Sequence, residues 1–225
     1  AAADFFFARG WRVVGLTQSA DSAARFSGKP YTVCAVDIVS AEALAALRAS
    51  EGAFAFVLHC ASSGGGGPEA YRRVYVDGCS QLTARFPEAR LVFTGSTSVY
   101  AQIDGAWVDE ESSTDPARET GCLLLEAEHI ALNAGGYVLR LAGIYGPGRS
   151  VLLRKFLDGS ARLEEGGSRW INQIHRDDAV HAIQTVIQSG SDGTIYNVAD
   201  DMPATQQMVY GWISDFLSQT LPPIG

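Results

Sequence analysis

The stretch Tyr31–His59, YTVCAVDIVSAEALAALRASEGAFAFVLH, contains one complete strand, helix and strand pattern. Its two ends, Tyr31–Ala35 and Phe54–His59, are apolar throughout, which is typical of strands that are covered on both faces. Between them, Ala41–Ala49 carries Ala and Leu at the spacing of one apolar helix face, and Ser40 is a favourable residue before a helix. Strands and helices in this order predict right-handed crossovers and a parallel sheet.

The same alternation extends through most of the chain. Further strands are predicted at Arg12–Leu16, Leu91–Thr94 and Tyr137–Leu141, and further helices at Glu69–Phe86 and Arg118–Asn133. After Gly148 the pattern becomes mixed, with helices at Val151–Leu157, Asp177–Gln188 and Thr205–Leu217, and strands at Trp170–Ile174 and Thr194–Val198. The sequence therefore predicts a doubly wound α/β domain over residues 1–148 and a smaller, interleaved mixed lobe over residues 149–225.

The composition argues against two classes of partner. The chain has 17 basic and 25 acidic residues and a formal charge of −8, whereas nucleic acids and anionic membranes attract basic surfaces. No apolar run reaches the roughly 18 residues that a membrane span needs. The four cysteines stand singly, mostly in apolar stretches, which indicates buried free thiols and a cytoplasmic protein. We expect a small-molecule substrate as the partner.

The residues that directly follow the predicted strands are small or polar. In an open parallel sheet, ligands bind beyond the carboxyl ends of the strands, and small residues there leave room for a bound ligand. Loops are polar in any case, so this observation alone leaves a ligand site and an ordinary loop edge both open.

Five segments occur in a characteristic order: FTGSTSVY (93–100), VDE (108–110), LRLAGIYGPG (139–148), NQIHRDDA (172–179) and GTIYNV (193–198). Together they resemble the extended short-chain dehydrogenase/reductases, the family of NAD(P)-dependent sugar-nucleotide epimerases, dehydratases and reductases. The resemblance implies a Rossmann-type sheet, NAD or NADP as the cofactor and a small polar substrate, a class that includes nucleotide sugars. It also implies a homodimer built on the helices Glu69–Phe86 and Arg118–Asn133.

The resemblance also implies which residues form the site. The cofactor-binding positions are Thr17, Gln18, Asp37, Ile38, Cys60, Ala61, Ser62, Thr94, Gly95, Leu141, Ala142, Gly143 and Ile144. The substrate positions are Ser98, Tyr145, Arg149 and His175, and Asp177 and Asp178 are expected to cap the following helix. Thr17-Gln18-Ser19 contains neither an acidic residue for NAD nor an arginine for NADP, so the choice of cofactor stays open. We predict no metal site.

The first departure from the family pattern is at the amino end. Family members begin with a strand and a Gly-rich turn, GxGxxG, whereas Ala1–Ala8 here resembles the end of the helix that follows that turn. The missing strand would lie in the middle of the sheet. We therefore expect the sequence to be a trimmed part of a longer protein, lacking this strand and some of its last lobe.

The second departure concerns catalysis. The family's chemistry uses a Tyr with a Lys four residues later, but no Tyr of this chain has that Lys, and Thr120 and Leu124 occupy the two positions. Ser96 keeps the family's hydroxyl, either as a catalytic group or as a turn residue that bonds the local backbone. Two functions thus stay open: an oxidoreductase or epimerase/dehydratase-like enzyme, and a catalytically silent NAD(P)-binding sensor.

Overall fold

The computed structural model describes residues 1–225, which form nine α-helices and ten strands. The helices are α1 (Ala2–Phe7), α2 (Ala20–Ala24), α3 (Ala41–Glu51), α4 (Pro68–Tyr71), α5 (Gly78–Arg85), α6 (Glu119–Asn133), α7 (Val151–Leu157), α8 (Arg176–Ser189) and α9 (Gln206–Leu217). The strands are β1 (Val14–Thr17), β2 (Thr32–Ala35), β3 (Phe56–His59), β4 (Arg90–Ser96), β5 (Tyr137–Leu141), β6 (Gly143–Tyr145), β7 (Trp170–Ile171), β8 (Gln173–His175), β9 (Ile195–Val198) and β10 (Ala204–Thr205). A π-helical stretch, Arg72–Asp77, joins α4 to α5.

Six of the strands form two parallel sheets. One sheet has the order β3, β4, β5, β9, and the other consists of β1 and β2 alone. Val57 lies opposite Leu91, and Arg140 lies opposite Asn197. The predicted parallel α/β fold is confirmed, but the sheet is divided between β1 and β3, since no backbone hydrogen bond joins these two strands.

Apolar side chains cover the larger sheet on both faces, because successive residues of a strand point to opposite sides. Val138 belongs to one core cluster with Leu44 of α3 and Leu124 of α6. Its neighbour Leu139 packs on the other face with Phe6 and Ile183 from α1 and α8. The helices on both faces are those of a doubly wound fold.

A third, smaller core belongs to the carboxyl-terminal part of the chain. Phe156 of α7 packs with Tyr210 and Ile213 of α9. Antiparallel β7 and β10 form a small sheet beside this core, whereas the small parallel sheet of β6 and β8 packs through Ile144 and Ile174 with the core that contains α8. In contrast, β9 and α8 pack on the main sheet, so the two parts of the chain interleave there.

The observed elements differ from the predicted ones mainly after Leu141. The single strand predicted at Trp170–Ile174 is two strands divided at Asn172, since β7 pairs with β10 and β8 pairs with β6. The sequence did not indicate β6 or the five-residue α2, because neither is long enough to show a periodic pattern.

The cysteines are all free, as expected, but they are not all buried. Cys79 is buried, whereas Cys60 directly after β3 and Cys122 in the first turn of α6 are exposed. The expected burial is therefore wrong for these two, because each lies where an element meets solvent. Every helix is too short or too polar to cross a membrane.

Candidate active site

The predicted cofactor residues lie along the carboxyl ends of the parallel strands. Thr17 ends β1, Thr94 and Gly95 lie near the end of β4, and Leu141 ends β5. The others follow a strand directly or within a few residues: Gln18, Asp37, Ile38, Cys60, Ala61, Ser62, Ala142, Gly143 and Ile144. Gly78 of α5 packs closely against both sheets at this edge. A Cβ added to it would lie 2.9 Å from Ile38 Cδ1, after β2, and 3.1 Å from His59 Nε2, at the end of β3.

Asp37 is held by an arginine that the sequence analysis missed. Its carboxylate receives two hydrogen bonds from the Arg73 guanidinium and a third, of 3.3 Å, from the Val39 amide. Arg73 lies in the π-helical stretch, far from Asp37 in sequence, so no local pattern pointed to it. An ion pair between the carboxylate of Asp37 and the half-exposed guanidinium of Arg73 therefore lies just after β2.

The segment after β3 is anchored by a buried histidine. His59 is 3% exposed and donates its Nε2 hydrogen to the Val74 carbonyl at 2.9 Å. Burial lowers the pKa of His59 below its ordinary value of 6.5, because the charged imidazolium would lose its hydration. The ring stacks on Tyr75, whose hydroxyl accepts a 3.4 Å bond from the Ser63 amide. Cys60, Ala61 and Ser62 are exposed above this anchor.

Ser96 ends β4 and caps the short helical turn that follows. Its hydroxyl oxygen accepts a 3.1 Å hydrogen bond from the Ser98 amide. The predicted substrate residue Ser98 therefore lies in the turn that Ser96 caps. This is the local turn role that the sequence left open, and the Ser96 hydroxyl hydrogen still has no acceptor within the chain.

Thr120 and Leu124, which occupy the positions of the family's absent Tyr and Lys, both lie on α6. Leu124 is 5% exposed and packs in the apolar core, while Thr120 is half-buried in the first turn. Lys29 binds Asp4 at 2.7 Å and Lys155 belongs to α7, so neither lysine of the chain forms a hydrogen bond or ion pair with this helix.

A buried polar network lies beneath this edge of the sheet. Arg140 of β5 donates to Glu128 of α6, with Nη2 to Oε2 at 2.7 Å and Nε to Oε1 at 3.1 Å, and both side chains are almost completely buried. Arg140 Nη1 also donates to the Tyr100 hydroxyl at 2.8 Å. That hydroxyl has two acceptors for its one hydrogen, the Asn197 side-chain oxygen at 2.9 Å and the Asp109 carbonyl at 2.8 Å.

The network connects four of the five segments that carry the family resemblance. The Glu110 carboxylate accepts a 2.6 Å bond from the Asn197 amide, so VDE, GTIYNV, FTGSTSVY and LRLAGIYGPG meet at one place. These segments therefore have a structural role: they fix the loop between β4 and α6 against β9.

Strands β6 and β8 bring together Tyr145 and His175, two of the residues predicted to bind substrate. Their rings are 5.3 Å apart and nearly perpendicular. His175 Nδ1 accepts a 3.3 Å bond from the Asp177 amide and so caps α8. The expectation that Asp177 and Asp178 cap this helix is wrong, because both lie inside its first turn.

Next to this pair lies a basic cavity of about 510 Å³. Four cationic side chains line it, together with the single carboxylate of Glu164: Arg149, Lys155, Arg162 and Arg169. Arg169 pairs with Glu164, whereas Arg149 and Lys155 bind no carboxylate. Of the four cations only Arg149 was predicted as a site residue, since the others are spread over α7 and the loops after it.

Residues 1–199 match the NAD dependent epimerase/dehydratase family. The protein YeeZ of Escherichia coli strain K12 is 32% identical over 228 residues, which cover 96% of this chain and 78% of YeeZ. Two solved structures share the fold. UDP-glucuronic acid 4-epimerase from Bacillus cereus in complex with NAD has a TM-score of 0.84 at 16% identity, covering 99% of this chain and 81% of that one.

RMD from Pseudomonas aeruginosa complexed with NADPH has a TM-score of 0.71 at 19% identity and covers 94% of this chain and 86% of that one. The family match spans both the strand-end edge and the substrate side. It agrees with the family that the five sequence segments resemble, and with the cofactor class, NAD or NADP, that they implied. The chain belongs to the NAD-dependent epimerase/dehydratase family.

Proposed function

We propose that the protein binds NAD or NADP along the strand-end edge and acts on a small polar substrate that carries phosphate, such as a nucleotide sugar. One observation carries the substrate class: Gly143 and Ile144, which belong to the proposed cofactor path, also line the basic cavity. The substrate pocket thus begins where the cofactor path ends. Four cations around one carboxylate, in a chain of charge −8, suit the phosphates of such a substrate.

The residues present fit two parts of a dinucleotide. The region after β2 offers the polar groups of Asp37 and Arg73 and the apolar side chain of Ile38 for the adenosine end. The ends of β4 and β5, with Gly95 and Ala142, leave room for the nicotinamide end. Bound there, the cofactor would supply hydride transfer to or from a substrate carbon.

Few residues of the chain can transfer the proton that accompanies hydride transfer. Ser96 can donate its free hydroxyl hydrogen to a substrate oxygen at the end of β4. The family's Tyr and Lys pair is absent, and general acid and base assistance of that kind is worth about 10²–10⁴ in rate. An enzyme built on this site therefore depends on another proton donor, and His175 and Tyr145, which lie side by side, are the candidates on the proposed substrate side.

The second candidate is a sensor that binds NAD(P) without turnover. The buried Leu124 favours it, because an apolar core position replaces the ammonium group that the family's chemistry uses. The enzyme is favoured by the basic cavity, since a sensor of the dinucleotide alone has no need of a second pocket for phosphates.

Two measurements on the natural full-length polypeptide separate these functions. Fluorescence titration with NADH and NADPH tests cofactor binding and its preference. Turnover is then measured over a panel of UDP-, dTDP- and GDP-sugars. Binding with turnover supports the enzyme, binding with no turnover on any sugar supports the sensor, and failure to bind either dinucleotide contradicts both.

The homodimer implied by the resemblance remains part of this proposal. The helical segment from α4 to α5 and helix α6 would form its interface, and sedimentation equilibrium of the natural protein measures the mass directly. The free thiols support a cytoplasmic site of action.

A further inference from the structure

The basic cavity extends from the proposed cofactor path to the start of α9, along a row of paired strands. Gly143 of β6 lies opposite Gln173 of β8. Ile171 of β7 lies opposite Ala204 of β10, and Gln206 follows two residues later. All of these residues except Ala204 line the cavity. The row begins at Gly143, on the cofactor path, so Gln206 lies at the end of the row away from the cofactor.

Gln206 presents hydrogen-bond donors to its end of the cavity. Its side chain is 6% exposed, and its Oε1 accepts a 2.7 Å hydrogen bond from the Glu164 amide. A backbone amide can only donate, so this bond fixes the side-chain oxygen toward Glu164 and leaves the Nε2 hydrogens free. Nε2 bonds to no group of the chain, yet it keeps contact with solvent, because the only completely buried side-chain atoms without a partner are Gln81 Oε1 and Ser214 Oγ. Since Gln206 is otherwise buried and lines the cavity, the Nε2 hydrogens point into the cavity.

Tyr210 adds a second donor one turn later on the same face of α9. It also lines the cavity, and its ring stacks on the Phe156 ring at 6.1 Å. Its hydroxyl bonds to no group of the chain and is not sealed from solvent. Burial, together with the carboxylates of Glu164 and Asp158, raises the pKa of this phenol above its ordinary value of 10.0, so the hydroxyl keeps its hydrogen at neutral pH. Two uncharged donors therefore lie together at this end of the cavity.

The turn that begins at Glu164 holds Gln206 in this orientation. The Glu164 carboxylate binds Arg169, while the Glu164 amide binds Gln206. Residues 165–167 all have positive φ angles, between 51° and 86°. A Cβ added to the last of them would lie 2.8 Å from the Gln207 Cβ, so the turn packs closely on the start of α9. The amide that orients Gln206 is therefore fixed by the fold before any ligand binds.

A substrate that spans the cavity places different parts at its two ends. Its reacting carbon must lie at the cofactor path, beside Gly143 and Ile144. Its phosphates suit the cations, of which Arg149 and Lys155 bind no carboxylate. The part that reaches Gln206 must then carry a hydrogen-bond acceptor. In a nucleotide sugar, the part that is neither the reacting sugar nor the phosphates is the nucleoside, whose base offers such acceptors.

We propose that Gln206 selects the base of the substrate, and that this base carries a carbonyl oxygen at the edge that Gln206 contacts. Uracil, thymine and guanine have such an oxygen, whereas adenine has an amino group in its place, and cytosine has one where uracil has its second carbonyl. An amino group there would face the Gln206 hydrogens and leave both groups without a partner, which weakens binding. This inference rests on the proposed function, because it requires a substrate with phosphates in the cavity.

Calorimetric titration of the natural full-length protein with free nucleoside diphosphates tests the inference without turnover. UDP is compared with CDP, and GDP with ADP, so that each comparison keeps the ring size constant. We expect the carbonyl base to bind at least about 10-fold more tightly than the amino base, in the pair whose ring size the cavity admits.

The most informative variant is Gln206→Glu, because its carboxylate can still accept from the Glu164 amide but presents an acceptor to the cavity. The ratio of the two dissociation constants should fall to about 1 or reverse, since the added charge acts on the phosphates of both ligands alike. The matched control is Gln207→Glu, which adds the same charge at the next position. Gln207 is exposed and does not line the cavity, so this variant should keep the wild-type ratio.

Three outcomes overturn the inference while the proposed function stands: differences below about 10-fold in both pairs of the wild-type protein, a preference for the amino base, or a preference that Gln206→Glu leaves unchanged. If Gln206→Glu does not fold, the wild-type ratios decide. If none of the four nucleoside diphosphates binds, the phosphate-bearing substrate of the proposed function is contradicted, and the selection of its base is contradicted with it.

Discussion

Arg140 and Arg149 are nine positions apart in sequence and have opposite surroundings. Arg140 is 3% exposed, and its guanidinium binds Glu128 and Tyr100. Arg149 is exposed, binds no side chain and lines the basic cavity. A buried charge with all its partners in place holds the fold in one arrangement, whereas an exposed cation without a partner remains available to a ligand. Both arginines lie within or beside the segment LRLAGIYGPG, so the family resemblance by itself did not separate the two roles.

The largest test of this contrast removes the acid that pairs with Arg140. We expect Glu128→Ala to lower the free energy of unfolding by about 3–5 kcal/mol, because it leaves a buried guanidinium without its counter-charge. The matched control is Glu126→Ala on the same helix, which removes an exposed pair with Arg72 and should cost less than about 1 kcal/mol. Urea unfolding measures both, and equal losses in the two variants would show that the buried network does not stabilise the fold.

A smaller effect is expected from removing only the Tyr100 hydroxyl. Tyr100→Phe should cost about 1–3 kcal/mol, since Arg140 Nη1 and the Asn197 oxygen both lose their partner. Tyr71→Phe serves as the control, because the Tyr71 hydroxyl makes no hydrogen bond within the chain and its loss should change stability by less than about 0.5 kcal/mol. The comparison is again made by urea unfolding, and a neutral Tyr100→Phe would refute the proposed linking role of this hydroxyl.

Buried His59 allows the contrast between buried and exposed groups to be tested by the pH dependence of stability. Its pKa is lowered by burial from 6.5, so below pH 6.5 the unfolded chain binds a proton that the folded chain does not. The stability that this histidine contributes is therefore present above pH 6.5 and is lost as the pH falls. We expect a loss of at most about 1 kcal/mol between pH 7 and pH 5.5 that is absent from His59→Gln. Parallel stability curves for the two proteins would contradict this.

The smallest effect on stability is expected for exposed Arg149. Arg149→Ala should change the free energy of unfolding by less than about 0.5 kcal/mol, since this exposed side chain makes no hydrogen bond or ion pair within the chain. It should weaken binding of a nucleotide sugar by about 10-fold or more, which is about 1.4 kcal/mol. The control is Arg154→Ala, a neighbouring exposed cation on α7 that does not line the cavity. Equal affinities of the two variants, measured by calorimetry, would remove Arg149 from the substrate site.

The sequence predicted the fold well where the chain is periodic and apolar. The segment Tyr137–Leu141 was placed to the residue, because a strand buried on both faces shows as a continuous apolar run. The pattern gave no sign of β6, whose three residues are too few for any period. It also placed Trp170–Ile174 in one strand, since the pairing of its two halves with different partners is decided far away in sequence.

Only part of the candidate site could be predicted, because the sequence indicates where strands end but not how distant segments pack. Residues at strand ends, such as Asp37 and Ser96, could be named because the topology of a parallel sheet fixes where its ligands bind. Arg73 and Lys155 could not, because each reaches the site from a helix whose packing the sequence does not specify. The role of His175 as a helix cap was also hidden, since acidic residues next to it are the more usual signal for a cap.

The position of Asn197 has a consequence for how the chain folds. Its bonds to Tyr100 and Glu110 close segments of 97 and 87 residues, far longer than the connections within any strand, helix and strand unit. Closing segments of this length costs chain entropy that nearby contacts do not repay, so these bonds form late and slowly. The loop between β4 and α6 therefore gains its two bonds to β9 only after its own internal bonds, such as that from Tyr100 to the Asp109 carbonyl, can form. During synthesis, the bonds to β9 must wait until residue 197 has been made.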